Sequence, residues 1–579
     1  MTTKRGYDMM NVFGFNYGVH NSAVCLIKDG VLVAAAEEER FNRKKHYGGF
    51  PICAFKWCLQ QAGLDIKEVE HVAFFLKPPF GITEIGWYHL KNLPASLGRF
   101  TTKKSHGGNL KMVLEFSTLK SKLNKELGFS GKVHYVDHHV CHAASTFLVS
   151  PFDNAAILTL DSVGEWTTTT YAYGEGTTIK QLKRLTYPDS MGQAYAAVTQ
   201  YLGFKPLSDE YKVMGMSAYG RPTRLKEFRE IISVDDDGNL RLDNSYFNSH
   251  YWSDQRYSQK MVERFGPPRP MENEDNITEE YADIACSFQR AFEDAALSMV
   301  QYLKKVTKSE NLCIAGGVGL NSVMNGRILS EGIFNNVYIN PTPHDPGTSL
   351  GAAYYVYNCK LGQSREYIFE APYLGPGHPE SEIVTTLEQR GVKYEKSKDI
   401  AKTAAKLIAD EKVIGWYQDR MEWGPRALGN RSILADPRRT EMKDIVNRKI
   451  KFREPFRPFA PSVLEESLHD YFESPVDSLP YMIFVVTVKE HAKSVIPAIT
   501  HVDGSARVHT VRREVNPKYW QVIKEFGNIT GVNCVLNTSF NVKGEPIVNT
   551  PEEAFNCYNN TGLDALVMGD YLVEKDTSK

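Results

Sequence analysis

The sequence lacks a long apolar run, a C-x-x-C pair and an excess of either charge. No apolar stretch reaches the roughly 18–20 residues that a membrane-spanning helix needs. The nine cysteines are scattered, so neither a disulfide framework nor a thiolate zinc site is indicated. Polar residues interrupt the N-terminal segment where a secretory signal would be apolar. We therefore expect a soluble, cytoplasmic protein without a membrane partner.

The charges almost balance, with 68 Lys and Arg against 69 Asp and Glu and a formal net charge of −1. Bulk charge therefore argues against a nucleic-acid partner, although it leaves room for a local basic patch. At 579 residues, of which 42% are hydrophobic, the chain is long enough for at least two cores.

A similar pattern occurs twice in the first half of the chain. Residues 11–40 predict a strand, a polar loop, a second strand, a hairpin at Asp29-Gly30 and a third strand. Residues 155–176 repeat this layout, with a polar turn predicted at 161–164. Two such units, about 145 residues apart, suggest a duplicated α/β core like that of sugar kinases, actin and heat-shock ATPases. Two unrelated hairpins are the alternative.

Two further strand-to-helix units follow. Residues 311–331 predict a buried strand, a turn at Gly316-Gly317 and a helix, and such glycines allow a ligand to approach the backbone closely. The same pattern is common in other α/β folds. In the next unit, Asp345 is expected just before a helix start.

The region 361–385 is rich in Gly and Pro and is typical of a linker. We therefore place a domain boundary near residue 380, between domains of residues 1–380 and 381–579. The segments 77–130 and 223–280 have mixed charge and little strand pattern, and they predict helical insertions. Their charges indicate a solvated face or, alternatively, an acceptor pocket.

The sharpest local pattern is VDHHVCHAAS at 136–145. His138 and His142 are four residues apart, so on a helix both imidazoles lie on one face and could share a metal ion, while His139 points elsewhere. No glutamate lies between them, which excludes the H-E-x-x-H protease pattern. Asp161 and Asp345, at strand ends, could complete a His2Asp2 set suited to iron, zinc or manganese. A helix cap with two capping aspartates is the alternative.

A second group of candidate residues is basic and belongs to the C-terminal part. It comprises Arg426, Lys451, Arg453, Arg457 and Arg507. Because Pro and Phe interrupt these residues, several should converge on a loop, where arginine forks match phosphate or carboxylate oxygens. Ser539 and Asn541 of NTSFN add small hydrogen-bonding groups. Scattered surface arginines are the alternative.

Nine motifs occur in a specific order along nearly the whole chain, over about residues 11–575. They are YGVHNSAV, AAAEEERFNRKKH, DHHVCHAAS, YKVMGMSAYG, GGVGLNS, HDPGTSLGAA, GPRALGNRSIL, KFREPFRPFAPS and NTSFNVKGEPIV. In this order the chain resembles the NodU/CmcH family, ATP-dependent O-carbamoyltransferases of nodulation-factor and antibiotic biosynthesis.

The resemblance implies an α/β protein of two domains. The N-terminal domain would be of the actin-like ATPase type, a duplicated ribonuclease H-like fold similar to the tRNA threonylcarbamoyl-transferase, and the C-terminal domain would be YrdC-like. The YrdC-like domain would convert carbamoyl phosphate and ATP, taken as its Mg complex, into carbamoyl-adenylate. The N-terminal domain would then transfer the carbamoyl group to a hydroxyl of a small-molecule acceptor, such as a sugar or polyketide.

The resemblance also implies roles for individual residues. In the C-terminal domain the residues that bind ATP and carbamoyl phosphate would be Lys451 and Arg453 of KFR, Ser539 and Asn541 of SFN, and Arg426, Arg457 and Arg507. In the N-terminal domain the metal, usually iron, would be held by His138, His142, Asp161 and Asp345. His20 would deprotonate the acceptor, Lys45 would contact the adenylate, and Gly316, Gly317 and Asn321 would contact the adenosine. Asn21 departs from the His-Asp-Ser more usual in the family, which puts the orientation of His20 in question.

Two other functions are alternatives to this one. tRNA threonylcarbamoylation shares both domain types, but near-neutral charge and the fused order of domains speak against it. A non-catalytic nucleotide-binding scaffold predicts erosion of the metal set or of the K-x-R…S-x-N set, and both sets are intact. The sequence does not indicate an oligomeric state.

Overall fold

The first sheet is built around the predicted N-terminal hairpin. The computed structural model describes residues 10–79, 81–93, 96, 115–251, 254–271 and 277–575. The sheet contains β1 Asn11–Asn16, β2 Ala23–Lys28, β3 Val31–Glu37, β4 His71–Phe74 and β5 Lys132–Tyr135. Its order is β3-β2-β1-β4-β5, with β1 to β3 antiparallel and β4 and β5 parallel to β1. Asp29 and Gly30 have φ of 50° and 84°, as a tight two-residue hairpin requires.

The second sheet repeats the first. The next strands are β6 Asn154–Gly164, β7 Thr167–Glu175, β8 Thr178–Thr186, β9 Ile232–Val234, β10 Leu240–Leu242, β11 Asn311–Ala315 and β12 Asn336–Ile339. The sheet order is β12-β11-β6-β7-β8, again three antiparallel strands followed by two parallel ones. The duplicated, ribonuclease H-like core of the actin-like ATPase type is therefore confirmed.

Helices of the N-terminal part cover these sheets. They are α1 Glu39–Asn42, α2 Ile52–Ala62, α3 Ile82–Lys91, α4 Leu119–Leu127, α5 His138–Phe147, α6 Met191–Tyr201, α7 Glu210–Met216, α8 Leu225–Ile231, α9 Gln259–Phe265, α10 Glu279–Thr307, α11 Ser322–Ser330 and α12 Asp345–Tyr354. The central pair is α5 and α12, which are buried along nearly their whole length. They approach so closely that a Cβ at Gly351 would overlap the carbonyl of Cys141. This packing joins the two sheets into one core.

The C-terminal part forms a larger sheet. Its strands are β13 Glu395–Lys396, β14 Ile414–Tyr417, β15 Arg431–Ala435, β16 Ala460–Leu464, β17 Phe472–Glu473, β18 Val485–Val488, β19 Ser505–Arg507, β20 His509–Val511, β21 Cys534–Ser539, β22 Ala565–Met568 and β23 Tyr571–Glu574. Eight of them pair in the order β13-β23-β22-β14-β15-β21-β16-β20, and β17, β18 and β19 form a separate small sheet. The helices are α13 Glu380–Gln389, α14 Ile400–Ala409, α15 Glu441–Val446, α16 Leu468–Tyr471, α17 Glu490–Lys493, α18 Pro517–Thr530 and α19 Pro551–Asn559.

The segment between these parts is irregular. Residues 361–379, all of them described, contain neither helix nor strand. The predicted linker 361–385 is too long at its end, because residues 380–385 belong to α13. Within the described residues, no helix is long and apolar enough to cross a membrane.

Three further local predictions need correction. The turn predicted at 161–164 is wrong, because β6 continues to Gly164 with a register shift after Leu160, and the turn is Glu165–Trp166. Asp345 does not precede a helix but is the first residue of α12. The insertion 223–280 contains the hairpin β9–β10 as well as helices. Parts of both insertions, residues 80, 94–95, 97–114, 252–253 and 272–276, lie outside the described residues.

Candidate functional site

The helix α5 presents two histidines from its first turns. The side chain of Asp137 accepts hydrogen bonds from the backbone amides of His139 and Val140, so the helix begins at His138. His138 and His142 then lie one turn apart, and their Nε2 atoms are 3.1 Å from each other. The ring of His139 points away, to Thr159 and the carbonyl of Thr167. As predicted, His138 and His142 project from one face of the helix and His139 projects from another.

Two aspartates converge on this pair. Oδ2 of Asp161 lies 3.0 Å from Nε2 of His138 and 3.6 Å from Nε2 of His142. Oδ1 of Asp345 lies 3.8 Å from each of the same nitrogens. One ligand atom from each of the four residues falls within 4.8 Å of all the others.

These donors fit a divalent metal ion. Two nitrogens and two oxygens meet in a nearly dry site, since His138, His142 and Asp161 are buried and Asp345 is 8% exposed. Within the described chain neither carboxylate pairs with Lys or Arg, so histidines alone balance the two aspartates. Such an N/O set is the one preferred by iron, zinc or manganese.

In the metal-free protein, the close approach of these histidines and aspartates shifts their pKa values. Burial lowers the pKa of His138, but the hydrogen bond with Asp161 and the charge of Asp345 outweigh it and raise the pKa to about 9. Burial opposes ionisation of Asp161, yet its contacts with both histidines hold its pKa well below the usual range. Burial and the charge of Asp137 raise the pKa of nearby Glu165 to about 7. A proton on His138 therefore occupies the place that a metal ion would take.

The glycine turn lies against the metal ligands. Gly316 has a φ of 94° and its amide donates to the carbonyl of Pro343. The amide of Gly317 donates to Oδ1 of Asp161 at 3.0 Å. Asn321 caps α11 and exchanges two 3.1 Å hydrogen bonds with Gln289, so its amide is already used within the protein. Contact of these three residues with adenosine stays a prediction.

His20 lies at the edge of the metal centre. Its Nε2 is 3.7 Å from Oδ2 of Asp345, and its side chain is 36% exposed. Its Nδ1 lies 3.1 Å from Oδ1 of Asn21, which contacts Nδ1 of His46 as well, at 3.2 Å. His46 was not among the predicted site residues, although it belongs to the motif that contains Lys45. Only the folded chain brings it to the same loop as His20.

The predicted basic residues come together in the C-terminal part. Arg426, Arg453, Arg457 and Arg507 are half-buried and Lys451 is buried. Burial, followed by the charges of the other arginines, holds the pKa of Arg507 well below its usual range. Burial and Arg453 do the same for Lys451, and burial lowers the pKa of Arg426 to about 10. We call these five residues the cation cluster.

The cation cluster has few partners of opposite charge. In the described part of the chain, its one ion pair joins Arg457 to Glu454 at 3.4 Å. The buried Nε atoms of Arg426 and Arg507 have no hydrogen-bond partner there. Buried cations without counter-charges are costly, so the arrangement fits a bound polyanion.

Of the K-x-R pair, Lys451 contacts both residues of S-x-N, whereas Arg453 contacts Asn447. Nζ of Lys451 contacts the carbonyl and, at 3.2 Å, the hydroxyl of Ser539, and it contacts Oδ1 of Asn541 at 2.8 Å. Arg453 donates through Nε to Oδ1 of Asn447 at 2.8 Å. Lys451 therefore fixes the loop after β21 beside the arginines.

The cation cluster and the metal centre lie on facing surfaces of the two parts. The charge of Arg426 contributes to lowering the pKa of His344, the neighbour of Asp345, after burial and the nearer histidines. A Cβ at Gly424, two residues before Arg426, would lie 3.1 Å from the carbonyl of Pro341. Partial burial and then the charge of Arg457 lower the pKa of Lys45.

Four residues that are not among the predicted site residues hold these surfaces together. The ring of Tyr211 lies under the guanidinium of Arg457 at 4.7 Å, and Lys212 pairs with buried Glu454 at 2.9 Å. The only sequence indication of a role for Tyr211 and Lys212 is that they belong to the motif YKVMGMSAYG.

Two arginines of the N-terminal part contact the C-terminal part. Buried Arg40 pairs with Glu37 and Glu39 and donates to the carbonyl of Gly424 at 3.1 Å. Arg43 reaches the carbonyls of Pro546 and Ile547 and the carboxylate of Glu553.

Two family models match successive parts of the chain. Residues 11–354 match the family model described as Carbamoyltransferase N-terminus, and residues 405–575 match Carbamoyltransferase C-terminus. An uncharacterized protein of Synechocystis, sll1178, is 40% identical, with 98% of this chain and 97% of that protein aligned. Nodulation protein NolNO of Sinorhizobium fredii is 37% identical, with 99% and 80% aligned.

Among solved structures, full-length HypF in its phosphate- and nucleotide-bound form matches with a TM-score of 0.31 and 15% identity, over 62% of this chain and 56% of that one. The two family models together cover most of the chain, from the first strand to the last. The chain therefore belongs to the carbamoyltransferase family and is a carbamoyltransferase.

Proposed function

We propose that this carbamoyltransferase uses carbamoyl phosphate and ATP to form carbamoyl-adenylate at the cation cluster, and transfers the carbamoyl group to a hydroxyl of a small molecule beside the metal centre. The observation that carries the proposal is the pairing of two different sites on facing surfaces. One is a set of five cations that form a single ion pair among the residues that the structure describes, and the other is the His2Asp2 set.

The cation cluster suits the activation half of the reaction. Carbamoyl phosphate would lose phosphate to water and give carbamate, which would attack the α-phosphorus of ATP and expel pyrophosphate. Arg426, Arg457 and Arg507 would bind phosphate oxygens through their forked donors, while Lys451 and Arg453 would bind the triphosphate and carbamate with Ser539 and Asn541. ATP would enter as its Mg complex. The fold of the C-terminal part would be YrdC-like.

Activation is needed because carbamate is a poor electrophile, since its nitrogen donates electrons into the carbonyl. Adenylation replaces a hydroxide leaving group with AMP, whose phosphate leaves readily. Because the mixed anhydride reacts with water, two sites that face each other within one chain would limit its loss. Lys45, whose charge acts on Lys451 of the cation cluster, would contact the adenylate, and Gly316, Gly317 and Asn321 would contact its adenosine.

The metal centre suits the transfer half. His138, His142, Asp161 and Asp345 would hold the ion, which is iron in the family that the chain resembles. When bound, such an ion supplies a Lewis acid that offsets developing negative charge on oxygen. Nε2 of His20 would take the proton of the acceptor hydroxyl as its oxygen bonds to the carbamoyl carbon and AMP leaves.

The acceptor would be a small molecule such as a sugar or a polyketide, as in nodulation-factor or antibiotic biosynthesis, rather than a nucleic acid. One relative carries the name of a nodulation protein, which is in line with such an acceptor. The reaction would take place in the cytoplasm, where ATP and carbamoyl phosphate are available.

The activation half can be tested without knowing the acceptor. Purified protein is incubated with Mg-ATP and carbamoyl phosphate, and pyrophosphate and carbamoyl-adenylate are followed, the latter by mass spectrometry. We expect pyrophosphate release that depends on carbamoyl phosphate. Turnover with threonine and bicarbonate instead would assign the chain to the tRNA-modifying reaction. No turnover with either set of substrates would contradict both reactions and support a non-catalytic nucleotide-binding scaffold.

A further inference from the structure

One atom of the Asn21 side chain contacts both His20 and His46. Its Oδ1 lies 3.1 Å from Nδ1 of His20 and 3.2 Å from Nδ1 of His46. An amide oxygen can only accept hydrogen bonds, so each of these nitrogens must carry a proton if the amide has this orientation.

The orientation of the Asn21 amide follows from its other neighbour. Burial raises the pKa of Glu37, and its interaction with the side chain of Asn21 partly offsets that rise, so the Asn21 amide lies beside this carboxylate. Glu37 is buried and paired with Arg40 at 3.0 Å. A carboxylate accepts, so the amide nitrogen must face Glu37 and the amide oxygen must face the two histidines. The buried pair of Glu37 and Arg40 thus determines which atom of Asn21 the histidines meet.

The contacts on the far side of His46 agree with this assignment. Its Nε2 lies 3.3 Å from the hydroxyl of Ser208, which can donate a proton to it. A neutral imidazole with a proton on Nδ1 and a lone pair on Nε2 satisfies both neighbours of His46. The corresponding lone pair of His20 is left on Nε2, the atom 3.7 Å from Asp345.

We infer that Asn21 is a positioning residue that holds His20 as the Nδ1-protonated tautomer, with the lone pair of Nε2 presented to the acceptor hydroxyl. This inference rests on the proposed role of His20 as the base in carbamoyl transfer. The opposite tautomer would place a proton where the base must accept one.

The backbone of Asn21 allows a clean substitution. Its φ is 52°, in the left-handed region that glycine and asparagine adopt most readily, and its carbonyl accepts from Asn16 at 3.0 Å. Asn21→Gly therefore removes the acceptor atom without straining the loop. Asn21→Asp retains an acceptor of the same length and serves as the matched variant.

The tautomer can be read without any substrate. In the full-length protein labelled with ¹⁵N at histidine, the ring nitrogens of His20 are assigned by comparison with His20→Gln, and their shifts distinguish protonated from bare nitrogen. We expect a protonated Nδ1 and bare Nε2 in the wild type and in Asn21→Asp. Asn21→Gly should give a mixture of tautomers. A bare Nδ1 in the wild type, or unchanged shifts in Asn21→Gly, would overturn the inference.

The kinetic consequence is measured with water as the probe acceptor. After mixing with Mg-ATP and carbamoyl phosphate, pyrophosphate reports activation and AMP reports discharge of the adenylate. Asn21→Gly should lower AMP release about 10–100-fold, as loss of an outer partner of a functional histidine does, with pyrophosphate formation in the first turnover within twofold of wild type. Equal loss of both would contradict a role confined to the base. Absence of pyrophosphate in the wild type would instead refute the proposed function and leave the tautomer result standing.

Discussion

The backbone amide of Gly317 donates a 3.0 Å hydrogen bond to Oδ1 of Asp161, so the glycine turn after β11 is attached directly to a predicted metal ligand. The other carboxylate oxygen, Oδ2, faces His138 at 3.0 Å. One side of the aspartate is thus fixed by the backbone while the other faces the metal centre. The turn that resembles a nucleotide-binding loop therefore also orients the ion site.

Gly317→Ala should weaken metal binding. The added Cβ would lie 3.0 Å from Oδ1 of Asp161, closer than side-chain carbons normally approach, so the carboxylate must turn. We expect a loss of affinity of about tenfold, measured by chelator competition. Gly86→Ala, on a helix with open space around it, is the control. Wild-type affinity in Gly317→Ala would show that metal binding does not depend on this orientation of the Asp161 carboxylate.

Metal affinity should rise with pH. The metal-free protein holds a proton on His138, whose pKa is about 9 because contacts with Asp161 and Asp345 outweigh burial. Metal must displace this proton below that pH, so the apparent affinity should rise up to about tenfold per unit between pH 6.5 and 9.

The same proton stabilises the metal-free fold. The pKa of His138 is raised above the roughly 6.5 of an unfolded histidine, so its contribution is complete below pH 6.5 and is lost as pH rises through 9. Thermal unfolding of chelator-treated protein should show this decline, and His138→Gln should remove it. An unchanged decline in that variant would assign the effect to another group.

Two substitutions should separate the half-reactions. His138→Ala removes a metal ligand and should spare formation of carbamoyl-adenylate while stopping transfer. Arg457→Ala removes a cation that packs on Tyr211 and should stop adenylation itself. Pyrophosphate release and AMP release report the two steps. If His138→Ala abolished pyrophosphate release in a folded protein, the assignment of activation and transfer to separate sites would fail.

The variant Arg507→Met should be more stable than the wild type when no ligand is bound, and pyrophosphate should stabilise it less. The charges of Arg426, Arg453 and Arg457 disfavour a fourth cation here, so removing it should raise the melting temperature by about 1–2 °C. Pyrophosphate should raise the melting temperature of the wild type more than that of the variant. Arg221→Met, whose side chain is 73% exposed, is the control. A fall in stability of ligand-free Arg507→Met would contradict the repulsion.

Local periodicity was enough to predict several elements of the fold and site. Asp29-Gly30 predicts its hairpin because few residues accept the backbone of that turn, and the four-residue spacing of His138 and His142 places both on one helix face. The extent of β6 was missed because the irregular pairing before Gly164 is a tertiary effect. The ring of His138 lies where a Cβ of Gly164 would be.

Contacts between distant segments could not be predicted in this way. Arg40 meets the carbonyl of Gly424, 384 residues away, and Asn21 meets His46 across a loop whose path depends on the packed core. Spacing along the chain carries no information about which loops face each other. Resemblance assigned roles to residues of known motifs, but it could not identify the contacts that hold these residues in place.

The contacts of Arg43 have a consequence for protein engineering. Although its segment follows β3, its side chain is held by the carbonyls of Pro546 and Ile547 and by Glu553 near the other end of the chain. The irregular segment 361–379 looks like a natural crossover point for hybrids of two relatives. A hybrid joined there would take Arg43 from one relative and the residues that bind its side chain, 546–553, from the other. Exchanging the first halves to change acceptor choice should therefore succeed only when residues 546–553 are exchanged with them.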